Sequence, residues 1–194
     1  MAQHKQLQKL ELTWIGKGEE PKLEPRILIE NPEYSYGDPN TENMLIHGDN
    51  LLALKALEQD FSGKIKCIYI DPPYNTGNAF EHYDDNIEHS IWLNLIYQRI
   101  KILHKLLRDD GFLFMQIDDH EAAYAIVILD EIFGRSNRIN IISVNMSSLS
   151  GVKMTAAING KRFPKSKEFI LLYAKNKGEG RLTIPKIKKD TWDK

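Results

Sequence analysis

Short apolar segments alternate with segments of helical periodicity from residue 44 onward, and this alternation constrains the fold more than any other feature of the sequence. Apolar runs that end in turn residues are typical of buried strands, whereas apolar residues that recur every three or four positions indicate helices. The pattern predicts strands at 44–48, 64–70, 111–117, 138–144 and 168–174, and helices at 51–61, 91–107 and 119–133. Such alternation is typical of an α/β protein with a mostly parallel sheet that is covered by helices on both faces. Because no helix is predicted between the last two strands, we expect them to form an antiparallel pair at one edge.

Helix ends and domain limits follow from the same pattern. Asn50 is the predicted cap of the first helix, and Asp109-Asp110-Gly111 is the predicted end of the second. Residues 1–40 are polar and interrupted by Gly and Pro, which predicts an irregular arm. Residues 41–177 carry the α/β pattern, and residues 178–194 form a basic tail.

The composition excludes a membrane span and a disulfide framework. The chain has 194 residues, a mean hydropathy of −0.42, a single cysteine and no apolar run of about 18 residues. This length fits one domain, or one and a part. The first residues contain no apolar segment of the kind found in secretion signals, so we expect a cytoplasmic location and no membrane association.

Charge is distributed unevenly along the chain. The net charge is −1, but residues 151–194 carry +8 and the preceding residues carry −9. This basic end predicts a nucleic-acid contact or, alternatively, a solvated lysine-rich tail. The long polar segment before the last predicted strand contains the candidate phosphate contacts Lys153, Lys161, Arg162 and Lys165. A mobile, solvated loop is the alternative interpretation of that segment.

The most informative segment follows the second predicted strand and reads Asp71-Pro72-Pro73-Tyr74-Asn75-Thr76-Gly77. Two successive prolines end the strand ladder and fix the backbone, so a carboxylate, a carbonyl and an aromatic ring meet at one rigid corner. Ligands of open α/β sheets bind at the carboxyl ends of the strands, where Asp49, Asp71 and Asp118 are also predicted to lie. The alternative is a proline-stiffened loop whose aspartate serves as a local cap.

The run Asp71-Pro72-Pro73-Tyr74 resembles the catalytic motif of DNA methyltransferases that act on exocyclic amino groups, and the match up to Gly77 is similar to the adenine-specific enzymes. Several other blocks resemble the modification (Mod) subunits of type III restriction systems, namely 11–17, 21–26, 45–54, 111–119 and 168–176. The resemblance covers residues 10–177.

This resemblance implies a Rossmann-like fold that uses S-adenosylmethionine. It implies that Asp71 and the Pro72 carbonyl accept hydrogen bonds from the amino group of an adenine flipped out of double-stranded DNA, that Pro73 completes the motif, and that Tyr74 stacks on the base. Asp49, Asn50 and Asp71 are the implied cofactor contacts, and Asn75 is an implied DNA contact. A turn-capping role is the alternative for Asp49. A restriction subunit and a second modification subunit are the implied protein partners.

The chain lacks one element of that family, the glycine-rich Phe-x-Gly-x-Gly cofactor motif. We therefore expect it to be the N-terminal part of a methyltransferase, an incomplete fold in which the strand at 44–48 lacks its neighbours. Such a chain is expected to be poorly stable alone or to need a complementing polypeptide. A non-enzymatic remnant is the alternative function.

A metal-dependent hydrolase is a further alternative, because acidic and histidine residues cluster in two places. His82 and His89 lie near Asp84, Asp85 and Glu88, and a second cluster is Asp118-Asp119-His120-Glu121. Neither cluster has the spacing of HExxH or of a zinc site, so no metal is expected.

Overall fold

The architecture is described from a computed structural model, which describes residues 11–19, 22–24, 26–38, 40–75, 89–146, 152–161 and 163–183. The elements are α1 (Asn50–Phe61), β1 (Ile65–Ile70), α2 (His89–Leu106), β2 (Leu107–Ile117), α3 (Ala122–Leu129), β3 (Arg138–Asn145), α4 (Val152–Asn159) and β4 (Lys167–Ala174). Short 3-10 turns cover Pro32–Tyr34 and Arg135–Asn137, and a π-helical turn covers Asp130–Gly134.

The four described strands form one sheet in the order β1-β2-β4-β3. β1 and β2 are parallel, with Ile68 opposite Leu113. β4 is antiparallel to both β2 and β3, with Leu171 opposite Met115 and Ile141. The predicted α/β class and the antiparallel β3/β4 pair at one edge are confirmed. The sheet is more mixed than the mostly parallel one expected, because β4 inserts between β2 and β3 and contributes two antiparallel pairings.

One hydrophobic core joins the described helices α1, α2 and α3 to a single face of the sheet. α2 has the apolar stripe that its sequence predicts, and its side chains at Trp92, Ile96, Ile100 and Leu103 are buried. Among the described residues the opposite face carries only a small buried cluster of Phe112, Leu172 and Ala174. We expected helices on both faces of the sheet. In the part of the chain that the structure describes, the main core with its helices lies on one face.

The junction between α2 and β2 differs from its prediction. α2 ends at Leu106 and β2 begins at once with Leu107, so Asp109-Asp110-Gly111 lies inside a strand. The N–H groups of Gly63 and Lys64 bind the carbonyls of Lys105 and Leu106, which satisfies the end of the helix without a glycine cap. Gly111 instead lies at the register shift between β1 and β2, where an added Cβ would come within 2.9 Å of the Ile65 carbonyl oxygen.

The prediction of a strand at 44–48 is wrong for this structure, since these residues belong to no ladder. Met44 and Leu45 are 57% and 100% exposed. An apolar strand is stabilised by a ladder partner and by packing of one face, and neither is present among the described residues. The long segment predicted to be a loop before the last strand contains the two-turn helix α4.

Part of the predicted irregular arm packs against α2. The Trp14 indole N–H donates to Asn94 Oδ1 at 2.7 Å, and Asn94 Nδ2 returns a bond to the Ile15 carbonyl at 2.9 Å. Lys17 forms an ion pair of 2.9 Å with Glu131, which follows α3. Gly16 between them has a φ of +87°, and a Cβ there would lie 2.8 Å from Asn94 Nδ2, so the close approach requires glycine.

Within the part of the chain that the structure describes, no helix has the length and hydropathy required to cross a membrane.

The packing of His104 makes stability depend on pH. Burial and the neighbouring Lys175 ammonium, 3.3 Å from Nδ1, lower the pKa of His104 to about 4. The unfolded chain binds this proton near pH 6.5, whereas the folded chain binds it only near pH 4, so stability falls as the pH drops through that interval. We expect His104→Gln to unfold with a shallower pH dependence between pH 6.5 and 4 in urea titrations. Parallel pH profiles for the two proteins would contradict this assignment.

Candidate active site

Three chain segments meet at one edge of the sheet. Asp71 follows β1 and Asp118 follows β2, and the two strands are parallel, so both aspartates lie at the same carboxyl-end edge. β4 runs antiparallel to β2, and Glu168 near its start therefore lies at that edge as well. The predicted placement of Asp71 and Asp118 is confirmed, and it is the edge at which open α/β sheets bind ligands.

A tryptophan of α2 fixes the proline corner. The indole N–H of Trp92 donates to the carbonyl of Pro73 at 2.6 Å. Trp92 is fully buried and Pro73 is half-buried, so this bond forms at the border of the core. The bond fixes the direction of one carbonyl in the Asp71–Tyr74 segment and ties the segment to the core.

A buried carboxylate holds the next residue of the segment. Glu121, which is 4% exposed at the start of α3, accepts bonds on Oε1 from Asn75 Nδ2 at 2.9 Å and from His89 Nδ1 at 3.0 Å. Asn75 has a φ of +54°, a conformation that asparagine tolerates better than most residues. Among the described residues, Oε2 of Glu121 and Nε2 of His89 have no hydrogen-bond partner. Glu121 thus holds the Asn75 end of the proline corner, while Trp92 holds the carbonyl of Pro73.

Tyr74 is held from the other side of the sheet. Its hydroxyl donates to Glu168 Oε2 at 3.0 Å, and the same oxygen accepts from Gln116 Nε2 at 2.6 Å. Gln116 in turn accepts a bond from the Tyr69 hydroxyl. Burial raises the pKa of Tyr74 well above its usual value, and the carboxylates of Asp71 and Glu168 act in the same direction. The phenol is therefore a neutral hydrogen-bond donor at any physiological pH.

The acidic cluster after β2 carries a cation from this chain. Asp118, Asp119 and His120 bring three ligand atoms within 4.8 Å of one another. The Lys165 ammonium lies 3.0 Å from Asp119 Oδ1, 3.6 Å from Asp118 Oδ2 and 3.0 Å from His120 Nδ1. Although burial acts to raise it, the Lys165 contact lowers the pKa of Asp119. A lysine thus occupies the position at which a metal would be sought, and it joins the segment before β4 to the end of β2.

A comparison with known families shows to which family this edge of the sheet belongs. Residues 65–194, about two thirds of the chain, match the family described as DNA methylase, of the N6/N4 methyltransferase type. The chain belongs to this DNA methylase family. The match begins at β1 and includes all the residues that build the proline corner and its clamps.

Several relatives of this chain are Mod subunits. The chain is 45% identical over 148 residues to the probable type III restriction-modification enzyme HindVI Mod subunit of Haemophilus influenzae, a match that covers 76% of the chain and 19% of that relative. It is 32% identical over 199 residues to the StyLTI Mod subunit of Salmonella typhimurium, covering 88% of the chain and 28% of the relative. The predicted resemblance to Mod subunits is confirmed, and the chain spans less than a third of these two relatives.

The crystal structure of the M1.HpyAVI complex with SAM matches 76% of this chain and 60% of its own, with a TM-score of 0.49 and 18% identity.

In this chain, Asp49 caps α1. Its Oδ1 accepts from the N–H groups of Leu51 and Leu52 at 2.9 and 3.0 Å, so the predicted cap residue Asn50 is wrong and the cap lies one residue earlier. Asn50 accepts a bond from Arg99 Nε at 2.6 Å, which ties the start of α1 to α2. Among the described residues, no hydrogen bond or ion pair joins Asp49 or Asn50 to the strand-end residues.

The cap predicts a measurable cost at Asp49. We expect Asp49→Ala to lower the free energy of unfolding by about 1 kcal/mol, because two N–H groups at the helix start lose their acceptor. Asp49→Asn is the matched control, since its amide oxygen can still accept both bonds. Urea unfolding followed by circular dichroism measures the difference, and an alanine variant as stable as the asparagine variant would contradict it.

The four predicted phosphate contacts have different positions. Lys161 is exposed just after α4 and has a φ of +49°. Lys165 is paired with the acidic cluster, Lys153 belongs to α4, and Arg162 lies outside the described residues, as do His82, Asp84, Asp85 and Glu88.

Sequence reasoning did not identify the residues that hold the corner. Trp92 was predicted only as a core residue, Gln116 and Glu168 only as parts of strands, and Glu121 only as a member of an acidic cluster. One signal was available: Gln116 interrupts the apolar run of β2, and Glu168 directly precedes the apolar run of β4. Polar residues at the site end of buried strands are candidates for site function.

Proposed function

We propose that this chain carries the catalytic corner of a type III Mod subunit, which transfers a methyl group from S-adenosylmethionine to the exocyclic amino group of adenine in DNA. The observation that carries the proposal is the Asp71–Tyr74 corner, which is clamped at the carboxyl end of β1 by Trp92 and Glu121. An adenine amino group is a poor nucleophile, because its lone pair is delocalised into the ring. A rigid pair of hydrogen-bond acceptors can make this nitrogen more nucleophilic.

In this mechanism, Asp71 and the Pro72 carbonyl each accept one N–H of the amino group. The geometry favours a pyramidal nitrogen whose lone pair faces the methyl donor, and these bonds are strongest as positive charge develops on nitrogen. The acceptors need no reorganisation, because Pro72 and Pro73 fix the backbone and the Trp92 indole holds the Pro73 carbonyl. Tyr74 presents its ring to the base, which must leave the duplex to reach the corner.

The residues at this edge fit S-adenosylmethionine in their charge. The cofactor supplies an electrophilic methyl group on a sulfonium cation. Asp71 and Glu168 are carboxylates close to the Tyr74 phenol, and they favour a neighbouring positive charge. We further propose that Asp49 and Asn50 contact the adenosine part of the cofactor, with Asp49 using the carboxylate oxygen that does not cap α1.

The proposal extends to DNA and protein partners. Asn75, Lys153, Lys161, Arg162 and Lys165 are the proposed DNA contacts, and Lys165 would exchange Asp118 and Asp119 for a phosphate. A restriction subunit and a second modification subunit are the proposed protein partners, and the cytoplasm is the proposed location.

The test uses a chimera. The part of the Haemophilus influenzae relative that matches this chain is replaced by the corresponding residues of this chain. Methyl transfer from labelled S-adenosylmethionine to DNA is then measured for this chimera and, separately, for the chain alone. We expect the chimera to form N6-methyladenine. N4-methylcytosine as the product would contradict the adenine specificity. A folded but inactive chimera, beside an active parent relative, would contradict the proposed function and favour a non-enzymatic remnant.

A further inference from the structure

We infer that Glu168 is a positioning residue for Tyr74, which acts from β4 through the phenol hydroxyl and sets the orientation of the ring that meets the base. The inference rests on the proposed function and adds a residue that the catalytic motif does not contain. Glu168 is 94 positions away from Tyr74 along the chain, and their side chains are joined by a 3.0 Å hydrogen bond.

The first argument is that Glu168 is itself fixed. Side chains along β2 alternate between the faces of the sheet, and Leu113, Met115 and Ile117 belong to the core beside the helices. Gln116 therefore points to the opposite face. Its partner on β4 is Ile170, and Glu168, two residues before Ile170, points to the same face as Gln116. Gln116 donates to Glu168 at 2.6 Å and accepts from the Tyr69 hydroxyl, so one hydrogen-bonded row crosses β1, β2 and β4.

The second argument concerns the free end of the Tyr74 side chain, whose ring packs against the core and whose hydroxyl faces the carboxylates of Asp71 and Glu168. Tyr74 follows the two prolines and precedes Asn75, whose side chain is bound on the other side by Glu121. The prolines fix the backbone, but a phenol ring can still turn about its side-chain bonds. The bond to Glu168 restricts rotation about the Cα–Cβ bond, because it anchors the hydroxyl end of the ring axis.

The third argument is chemical. A carboxylate is a charged acceptor for a neutral phenol, and Tyr74 is kept neutral by its burial and by the carboxylates around it. Glu168 does not need to touch the base or the cofactor. Its effect on methyl transfer would pass through Tyr74 alone, and this distinguishes positioning from catalysis.

The test is a double-mutant cycle on methyl transfer in the chimera described above. We expect Glu168→Ala and Tyr74→Phe each to lower kcat/KM by about tenfold, the loss of one charge-assisted hydrogen bond, and the double variant to lose no more than either single variant. Glu168→Gln, whose amide oxygen can still accept the phenol, should recover part of the loss. Ile170→Val, the next residue on the same face of β4, is the control for a general disturbance of the strand. Additive losses, or an equal loss in Ile170→Val, would overturn the inference.

A second measurement uses this chain alone and does not require activity. Tyrosine labelled with 13C at the ring carbon that bears the hydroxyl gives one signal per tyrosine, and Tyr74→Phe identifies the signal of Tyr74. We expect Glu168→Ala to shift that signal upfield, as the phenol loses one of the two carboxylates beside it, and Glu168→Gln to shift it less. An unchanged signal would overturn the inference even if the chimera is active. A shifted signal beside an inactive chimera would support the contact and locate the failure in the proposed function.

Discussion

Replacing Asp71 by asparagine is expected to abolish methyl transfer while the protein stays folded. Asp71 is exposed at the end of β1 and contributes nothing to the core, so the loss should appear in the rate and not in the free energy of unfolding. The amide keeps an acceptor oxygen but loses the negative charge that stabilises the developing charge on nitrogen. Removal of one preorganised group of this kind costs about 100- to 1000-fold in rate.

The control for Asp71→Asn is Asp60→Asn, which removes one negative charge from the exposed last turn of α1. Both variants are measured in the chimera by transfer of labelled methyl groups to DNA at saturating cofactor. A rate for Asp71→Asn within a factor of two of the rate of the unsubstituted chimera would exclude Asp71 as the acceptor. A large loss in both variants would indicate a general effect of charge.

Replacing Trp92 by alanine is expected to give the largest loss of stability, about 3–5 kcal/mol, because a fully buried indole is removed from the centre of the core. Trp92→Phe keeps most of the ring but leaves the half-buried Pro73 carbonyl without its donor, and we expect a smaller loss of about 1–3 kcal/mol. We also expect Trp92→Phe to slow methyl transfer, since the corner loses one of its two clamps.

Trp14→Phe is the matched control for this prediction. Trp14 also donates its indole N–H to a partner on α2, Asn94, but it belongs to the arm and not to the proline corner. Urea unfolding followed by circular dichroism should show a smaller loss of stability for Trp14→Phe, and methyl transfer should stay unchanged. Equal effects of the two phenylalanine variants on methyl transfer would contradict a specific role of Trp92.

The sequence predicted the elements well where local and long-range preferences agree. α2 has a periodic apolar face and a buried partner surface, and its predicted limits differ from the observed ones by no more than two residues. The segment at 44–48 has an equally apolar composition, but strand formation depends on a partner, and composition cannot supply one. The Asp109-Gly111 signal failed for a similar reason, because backbone groups of Gly63 and Lys64 complete the helix from outside its own sequence.

The site shows the same division. The proline corner could be found because its residues are consecutive, and Asp118 because it also follows a strand. The residues that hold the corner come from α2, α3 and β4, and only the sheet order brings them there. That Lys165 lies against the acidic cluster could not be predicted, since the pairing depends on the path of the chain between β3 and β4.

The position of β4 between β2 and β3 has a consequence for how the protein is made. β1, α2 and β2 are close in sequence and can assemble early during synthesis, but β3 has no ladder partner among the described strands until β4 leaves the ribosome. The same strand delivers Glu168 to the Tyr74 hydroxyl. Closure of the sheet and completion of the corner are therefore one late event, with a loop-closure cost that earlier, more local steps do not have. In a nascent chain halted before residue 168, Asp71 would lie on an incomplete sheet, and the Tyr74 hydroxyl would lack the Glu168 acceptor.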